Sequence, residues 1–125
     1  MGSPMSADAG PLIQAVVTAL QGAFGSSVFA QVAPDQTAGP YAVFTRVSTT
    51  PGTTLESGSP LRNTRLQVDV YSKTYAEVIS LSAQAETAIL ALAYPIGAIA
   101  ISASDDFEPD VKLHRIINEF SIWHP

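Results

Sequence analysis

Hydrophobic residues recur at helical spacing in the first part of the chain. Between residues 11 and 24, apolar side chains three and four positions apart form one stripe of Leu12, Ile13, Val16, Val17, Leu20 and Phe24. Pro11 suits the first turn of a helix, whose N–H groups have no internal partner. Gly25 suits the left-handed position that ends a helix. The pattern therefore predicts a first helix from Pro11 to Phe24.

A second helix is predicted after residue 73. Thr74 and Glu77 match a capping box, in which a hydroxyl and a carboxylate bind the first unpaired amides of a helix. Its main apolar stripe consists of Val78, Leu81, Ala85, Ile89 and Leu92. Pro95 and Gly97 are expected to end it.

The outer flank of this second helix is also apolar. Ile79, Ala83 and Leu90 widen the apolar arc beyond what one sheet face requires. The flank is either a contact with another subunit or a surface buried under a loop, and the sequence leaves both interpretations open.

Alternation of apolar and polar residues predicts strands elsewhere. It is clearest in residues 61–71, where Leu66, Val68 and Val70 alternate with Arg65, Gln67 and Asp69. Shorter strands are expected at residues 28–32, 41–47 and 98–104, and a long final strand at residues 111–123. In the last of these the apolar parity changes at Ile116 and Ile117, which indicates a bulge or a strand covered on both faces. The order of elements predicts an α+β fold, with an antiparallel or mixed sheet of about five strands and two α-helices on one face.

Residues 48–60 interrupt this pattern with a Thr-, Ser-, Gly- and Pro-rich segment. We expect a long loop or mobile arm at the end of a hairpin, with Leu55 as its one large apolar residue. Glu56 and Arg62 have charges that suit an ion pair across a subunit boundary. The hypothetical subunit interface consists of Leu55, Glu56, Arg62, Ile79, Ala83 and Leu90.

Composition narrows the class of protein. The 125 residues suit one domain, which we expect to span residues 6–125, after a cloning remnant at residues 1–5. The chain has no cysteine, and its net charge of −5 has the wrong sign for binding a phosphate backbone. No apolar run approaches the roughly 20 residues of a membrane helix, so we expect neither a membrane nor a specific nucleic acid as partner.

No pattern of catalytic or metal-binding residues is present in the sequence. His114 and His124 lack companions at metal-ligand spacing, and we place His124 at a frayed end. Four acids, Asp105, Asp106, Glu108 and Asp110, are expected in one solvated hairpin loop, without the spacing of a calcium loop. Neither a nucleophile elbow nor a phosphate loop is found. We therefore expect a non-enzyme without metal or cofactor.

Four segments resemble the tail-completion family of long-tailed bacteriophages and prophages, also called tail terminators or tail-to-head joining proteins. They are Pro40-Tyr41-Ala42-Val43-Phe44-Thr45-Arg46-Val47-Ser48, Arg65-Leu66-Gln67-Val68-Asp69-Val70-Tyr71-Ser72, Thr74-Tyr75-Ala76-Glu77 and Asn118-Glu119-Phe120-Ser121-Ile122-Trp123. The four follow one another in the family's order.

The resemblance implies a structural virion protein, located in the tail and assembled in the bacterial cytoplasm. As a homo-oligomer, a ring of six copies, it would cap the tail tube, bind the tail-tube protein and join the head-tail connector protein, while DNA passes through. Two alternatives stay open. One is a small ligand-sensing or enzyme-accessory α+β domain, which predicts a pocket with convergent polar groups; the other is a neighbouring neck or connector protein.

Overall fold

The computed structural model describes residues 4–34, 37, 39–54, 60–92 and 97–125, and the side chains of all these except 4–9, 52–54 and 60. Two helices and five strands follow in the order α1 (Pro4–Phe24), β1 (Val28–Ala30), β2 (Tyr41–Thr54), β3 (Pro60–Ser72), α2 (Tyr75–Leu90), β4 (Gly97–Glu108) and β5 (Leu113–His124).

The five strands form one mixed sheet in the order β1-β2-β3-β5-β4. β1 runs parallel to β2, whereas the β2–β3, β3–β5 and β5–β4 pairs are antiparallel. Because α2 connects β3 to β4, the strand β5 is inserted between the two strands that the helix joins. The predicted α+β fold with a five-stranded sheet is confirmed.

Both helices pack on the same face of the sheet and enclose the main core. The apolar stripes of α1 and α2 contact the inward side chains of β2, β3 and β5, and the largest fully buried side chains include Leu12, Leu20, Leu66, Ile89 and Phe120. On the other face, here called the helix-free face, Tyr41, Val43 and Leu113 form a smaller cluster with Phe29, Ala33 and Tyr71. Because only one face of each helix is buried, its apolar residues recur at helical spacing, and this pattern allowed both helices to be predicted from the sequence.

Helix α1 begins before the predicted start. Pro11 was expected in the first turn because it lacks an N–H, but it lies inside the helix. A proline disfavours helical geometry in the preceding residue partly by a clash with that residue's Cβ, and Gly10 has no Cβ. The predicted end is confirmed, because Gly25 has φ of 60° and its N–H donates to the Gln21 carbonyl at 2.9 Å.

The segment predicted as a long loop is largely strand. β2 continues through Thr54 and β3 begins at Pro60, and residues 48–51 and Thr54 pair with β3, with an irregularity between Pro51 and Thr54. Threonines favour the pleated backbone, and the Thr49 and Thr64 hydroxyls bond across the two strands at 2.8 Å. Residues 48–54 are therefore strand and not loop, and residues 55–59 of the predicted segment lie outside the described residues.

The four acids do not share a hairpin loop. Asp105, Asp106 and Glu108 belong to β4, and only Asp110 lies in the turn that follows. The Tyr75 hydroxyl donates to Asp105, and Arg115 pairs with Asp106 and Glu108. These partners hold the acids in strand geometry, which a spacing argument does not reveal.

β5 has no bulge against β3. The change in the parity of its apolar residues comes instead from apolar contacts on both faces of the strand. β5 pairs with β3 in one uninterrupted register and buries Ile116, Phe120 and Ile122 under the helices. Leu113 points to the helix-free face and is covered there. The bulge lies in β4, where Ile101 is the extra residue between Ala100 and Ser102.

β1 is shorter than predicted and the start of α2 is as predicted. β1 ends at Ala30, since Gln31 adopts a left-handed φ of 66°. In α2, the Glu77 amide donates to the Thr74 hydroxyl at 3.2 Å, which confirms Thr74 as the N-cap. The Glu77 carboxylate accepts a hydrogen bond from the Ser72 hydroxyl, so this side chain ties the helix start to β3.

Candidate subunit-contact surfaces

Ile79 and Leu90 lie on the flank of α2 that faces the β4 edge of the sheet. Tyr75, Ile79, Glu86 and Leu90 recur at spacings of four, seven and four, which puts them on one stripe of the helix. Tyr75 bonds to Asp105 of β4, so the stripe is oriented towards that strand. Ile79 is 44% exposed and Leu90 43%, and both are exposed large apolar residues.

Ala83 lies on a different side of α2. It lines an open groove of about 540 Å³ between α1 and α2, together with small residues such as Ala19, Gly22 and Ala88. The three residues predicted for the outer flank are therefore divided between two neighbouring surfaces, Ile79 and Leu90 on one and Ala83 on the other.

The three predicted interface residues of the hairpin are separated as well. Leu55 and Glu56 lie outside the described residues. Arg62 is half-buried in β3, where its register partners are Pro51 of β2 and His124 of β5.

β4 itself exposes large apolar side chains. Ile99 is 61% exposed and Ile101 44%, and Phe107 is exposed too. β4 is the last strand of the sheet, and among the described residues no strand pairs with its outer edge. Together with Ile79 and Leu90, these residues give five exposed apolar side chains along the β4 edge of the sheet, here called the β4 side.

On the helix-free face, Arg115 of β5 is the centre of a charge cluster. Its Nη2 lies 2.6 Å from Asp69 Oδ2, and its Nη1 lies 2.8 Å from Glu108 Oε1 and 3.7 Å from Asp106 Oδ2. Gln67 donates to Asp69 Oδ1 at 3.0 Å. The Asp69 side chain is 8% exposed, so this is a nearly buried carboxylate neutralised by arginine.

Aromatic rings extend this cluster. The Arg115 guanidinium lies 5.7 Å from the centre of the Tyr71 ring, which stacks on Tyr41 at 4.7 Å. Burial raises the pKa of Tyr71 to about 12, against the opposing charge of Arg115. Burial lowers the pKa of Arg115, but the hydrogen bond to Asp69 and its charge outweigh this, and the net shift is upward.

These groups surround a pocket of about 370 Å³ whose wall includes Tyr41, Asp69 and Arg115. Its charged side chains bond to one another, as the Asp69–Arg115 and Glu108–Arg115 pairs show. The arrangement joins β3, β4 and β5 across the sheet. Because the charged groups are paired with one another, the cluster suits a role in stabilising the sheet and not a role in catalysis.

Sequence reasoning missed this cluster and the role of His124. In the sequence, Asp69 is only one polar position of an alternating strand, and nothing there indicates that Tyr71, two residues further on, pairs with Arg115 of β5. His124 is not at a frayed end. It is fully buried, with Nε2 2.7 Å from the Thr64 hydroxyl. His124 lies two and four residues after Ile122 and Phe120, so the alternation along the strand indicates that all three side chains face the core.

In the part of the chain that the structure describes, no three His, Asp or Glu side chains are grouped as a metal site would need. No described helix combines the length and apolar character of a membrane span.

Comparisons with known proteins fit this architecture. The solved structure of the virion of a native gene transfer agent particle contains a chain that superposes with a TM-score of 0.70 at 19% identity, covering 94% of this chain and 96% of that one. Such a likeness shows a shared fold. No curated protein matched the sequence.

A family model provides the stronger result. The model described as "Tail completion protein gp17" matches residues 12–125, nearly the whole chain. The match includes both helical stripes, all five strands and the Arg115 cluster. The chain therefore belongs to the tail completion protein gp17 family, a family of structural proteins of phage tails.

Proposed function

We propose that this chain caps the completed tail tube as a ring of six copies and joins the tube to the head connector. The observation that carries the proposal is the β4 side, where Ile79, Leu90 and Ile101 stay exposed. Exposed apolar groups gathered on one side mark a contact with another protein. Membership of a tail completion family makes that contact part of a tail.

A closed ring needs two different surfaces on each copy, because each subunit contacts one neighbour with one surface and the other neighbour with another. The β4 side supplies one surface. The opposite end of the sheet, formed by β1 and β2, supplies the other. Such a protein needs neither metal nor catalytic group, and the Arg115 cluster serves to hold its sheet together.

The proposal is tested by sedimentation velocity and electron microscopy with purified tail tubes of the phage that encodes the chain. We expect rings of six copies at the head-proximal end of each tube. We also expect self-association of the free protein to rise with concentration. A protein that stays monomeric at millimolar concentration and does not bind tail tubes would contradict the proposal.

Complementation adds a test of function. A phage that lacks its tail completion gene should regain infectivity when this chain is supplied. Binding to tubes without recovery of infectivity would support capping but contradict connection to the head.

A further inference from the structure

Two long stretches of sheet edge have no strand beside them. β1 pairs with β2 only at Ala42, Val43 and Phe44, so residues 45–54 of β2 have no other strand on that side among the described residues. β4 is likewise paired only with β5. Both edges present N–H and C=O groups that another strand can bind, except at Pro51 of β2, which has no N–H.

The directions of the strands suit pairing between copies. Three successive antiparallel pairs connect β2 to β3, β3 to β5 and β5 to β4, so β4 runs opposite to β2. A rotation about an axis roughly along the strands preserves their directions. In a ring of such copies, β4 therefore meets the next copy's β2 in antiparallel orientation, and the contact joins two different surfaces as a closed ring requires.

The distribution of charge favours pairing of β4 with β2 of the next copy over pairing of β4 with another β4. The charged residues of β4 are all acidic, Asp105, Asp106 and Glu108, whereas the uncovered stretch of β2 contains Arg46. Arg46 pairs with Leu66, and Asp105 pairs with Ile116. Since Leu66 and Ile116 are both buried under the helices, Arg46 and Asp105 also point to the helix-bearing face. A two-fold contact of β4 with β4 would instead bring together two acidic strands.

We propose that β4 of one copy pairs antiparallel with residues 45–54 of β2 in the next copy, which makes the subunit joint a continuous β-sheet. The inference rests on the ring proposed above. Pairing ends where β1 begins, and Arg46 comes opposite Asp105. With Val47 bulged out as it is against β3, Ser48 then comes opposite Ser104 on the helix-free face. Ile79 and Leu90 face α1 of the next copy, which packs over its own β1 and β2.

Engineered disulfides test this register, because the natural chain has no cysteine. Ser48→Cys and Ser104→Cys are introduced together. Within one copy these residues are on strands three spacings apart, about 14 Å. A disulfide needs Cα atoms within about 7 Å, so it can form only between copies. Oxidation on tail tubes should give a ladder of covalent species up to the full ring on a non-reducing gel.

The control pairs Ser48→Cys with Ser80→Cys, since Ser80 lies on the α1–α2 groove away from the joint. It should give no ladder. Each single variant should stay uncrosslinked in the ring. A strong covalent dimer from Ser104→Cys alone would show a β4–β4 contact and overturn the inference.

Charge reversal provides a second test that does not depend on oxidation. Arg46→Asp and Asp105→Arg each place like charges in every joint, and each should lower ring formation at least several-fold. An equimolar mixture restores opposite charges at every joint of an alternating ring, so it should recover ring formation. If rings form normally with each variant alone and the cysteine pair gives no ladder, the joint lies elsewhere while the ring proposal stands. If wild-type protein forms no ring on tubes, both fail.

Discussion

At the scale of single residues, burial decides which polar groups matter for stability. Asp69 and Arg115 are nearly buried and bonded to each other, whereas Arg65 and Glu119 approach to 3.7 Å at a more exposed position. Exposed pairs contribute little because water screens them. Removing one member of a nearly buried pair leaves the other charge without its partner.

Replacement of Asp69 should therefore destabilise the domain. Asp69→Asn keeps the size of the side chain but removes its charge, and we expect a loss of about 1–3 kcal/mol in the free energy of unfolding. Glu119→Gln, at the exposed pair, should cost less than about 1 kcal/mol. Urea unfolding of both variants measures the difference, and equal effects would contradict the assigned role of the cluster.

The hydroxyl chain at His124 provides another residue-scale test. Thr64→Val removes a buried hydroxyl that bonds to both His124 and Thr49. We expect a loss of about 1–3 kcal/mol in unfolding free energy. Thr49→Val, at a half-buried position, removes one of the same bonds and should cost clearly less. Thermal and urea unfolding provide the measurement, and a neutral Thr64→Val would show that His124 is not held by this bond.

Tyr71 should dominate the alkaline titration. Its pKa rises from the ordinary tyrosine value of 10.0 to about 12 in the fold, so its neutral form stabilises the fold fully below pH 10. That contribution is lost as the pH rises through about 12. Burial raises the pKa of Tyr41 as well, and the hydrogen bond to Asp105 raises the pKa of Tyr75. Tyrosinate absorbance should show a late step of ionisation at about pH 12, and Tyr71→Phe should remove that step. Ionisation of all four near pH 10 in the wild-type protein would contradict this.

At the scale of elements, the sequence predicted what local chemistry determines. Residues close together in sequence determine each of these features: the stripes of α1 and α2, the Thr74 cap, the Gly25 end and the alternation in β3. The extension of β2 to Thr54 and the strand character of Asp105, Asp106 and Glu108 depend on partners distant in sequence. The sequence showed that Ile79 and Leu90 widen the apolar arc of α2. It did not show that they lie beside β4, because that depends on how α2 packs on the sheet.

Gly22 in α1 and Gly25 directly after it test the role of backbone geometry, and we expect substitutions at the two positions to change stability in opposite directions. A Cβ added to Gly22 or to Gly25 meets no atom within 4 Å, so crowding affects neither position. Gly22→Ala should stabilise the helix by about 0.5–1 kcal/mol. Gly25→Ala places a side chain at φ of 60° and should destabilise by about 1–2 kcal/mol. Thermal unfolding of both variants decides, and a shift in the same direction for both would refute the assigned C-terminal geometry.

At the scale of the whole molecule, the ring proposed above assigns stability and assembly to different residues. The core between the helices and the sheet is closed, and the Arg115 cluster joins three strands on the other face. The β4 side adds little to either and stays apolar. If the β4 side contacts a neighbour as proposed, substitutions on that side should separate folding from assembly.

The double variant Ile79→Gln and Leu90→Gln tests this separation. Both side chains are almost half exposed, and glutamine is a good helix former, so we expect the unfolding free energy to change by less than about 2 kcal/mol. Ring formation on tail tubes should fall at least tenfold, because each joint loses two apolar contacts and the loss repeats around the ring. Val111→Gln removes a 54% exposed apolar side chain from the β4–β5 turn and serves as the control. Circular dichroism establishes the fold of each variant, and sedimentation with tubes measures assembly. Undiminished ring formation by the folded double variant would remove Ile79 and Leu90 from the interface.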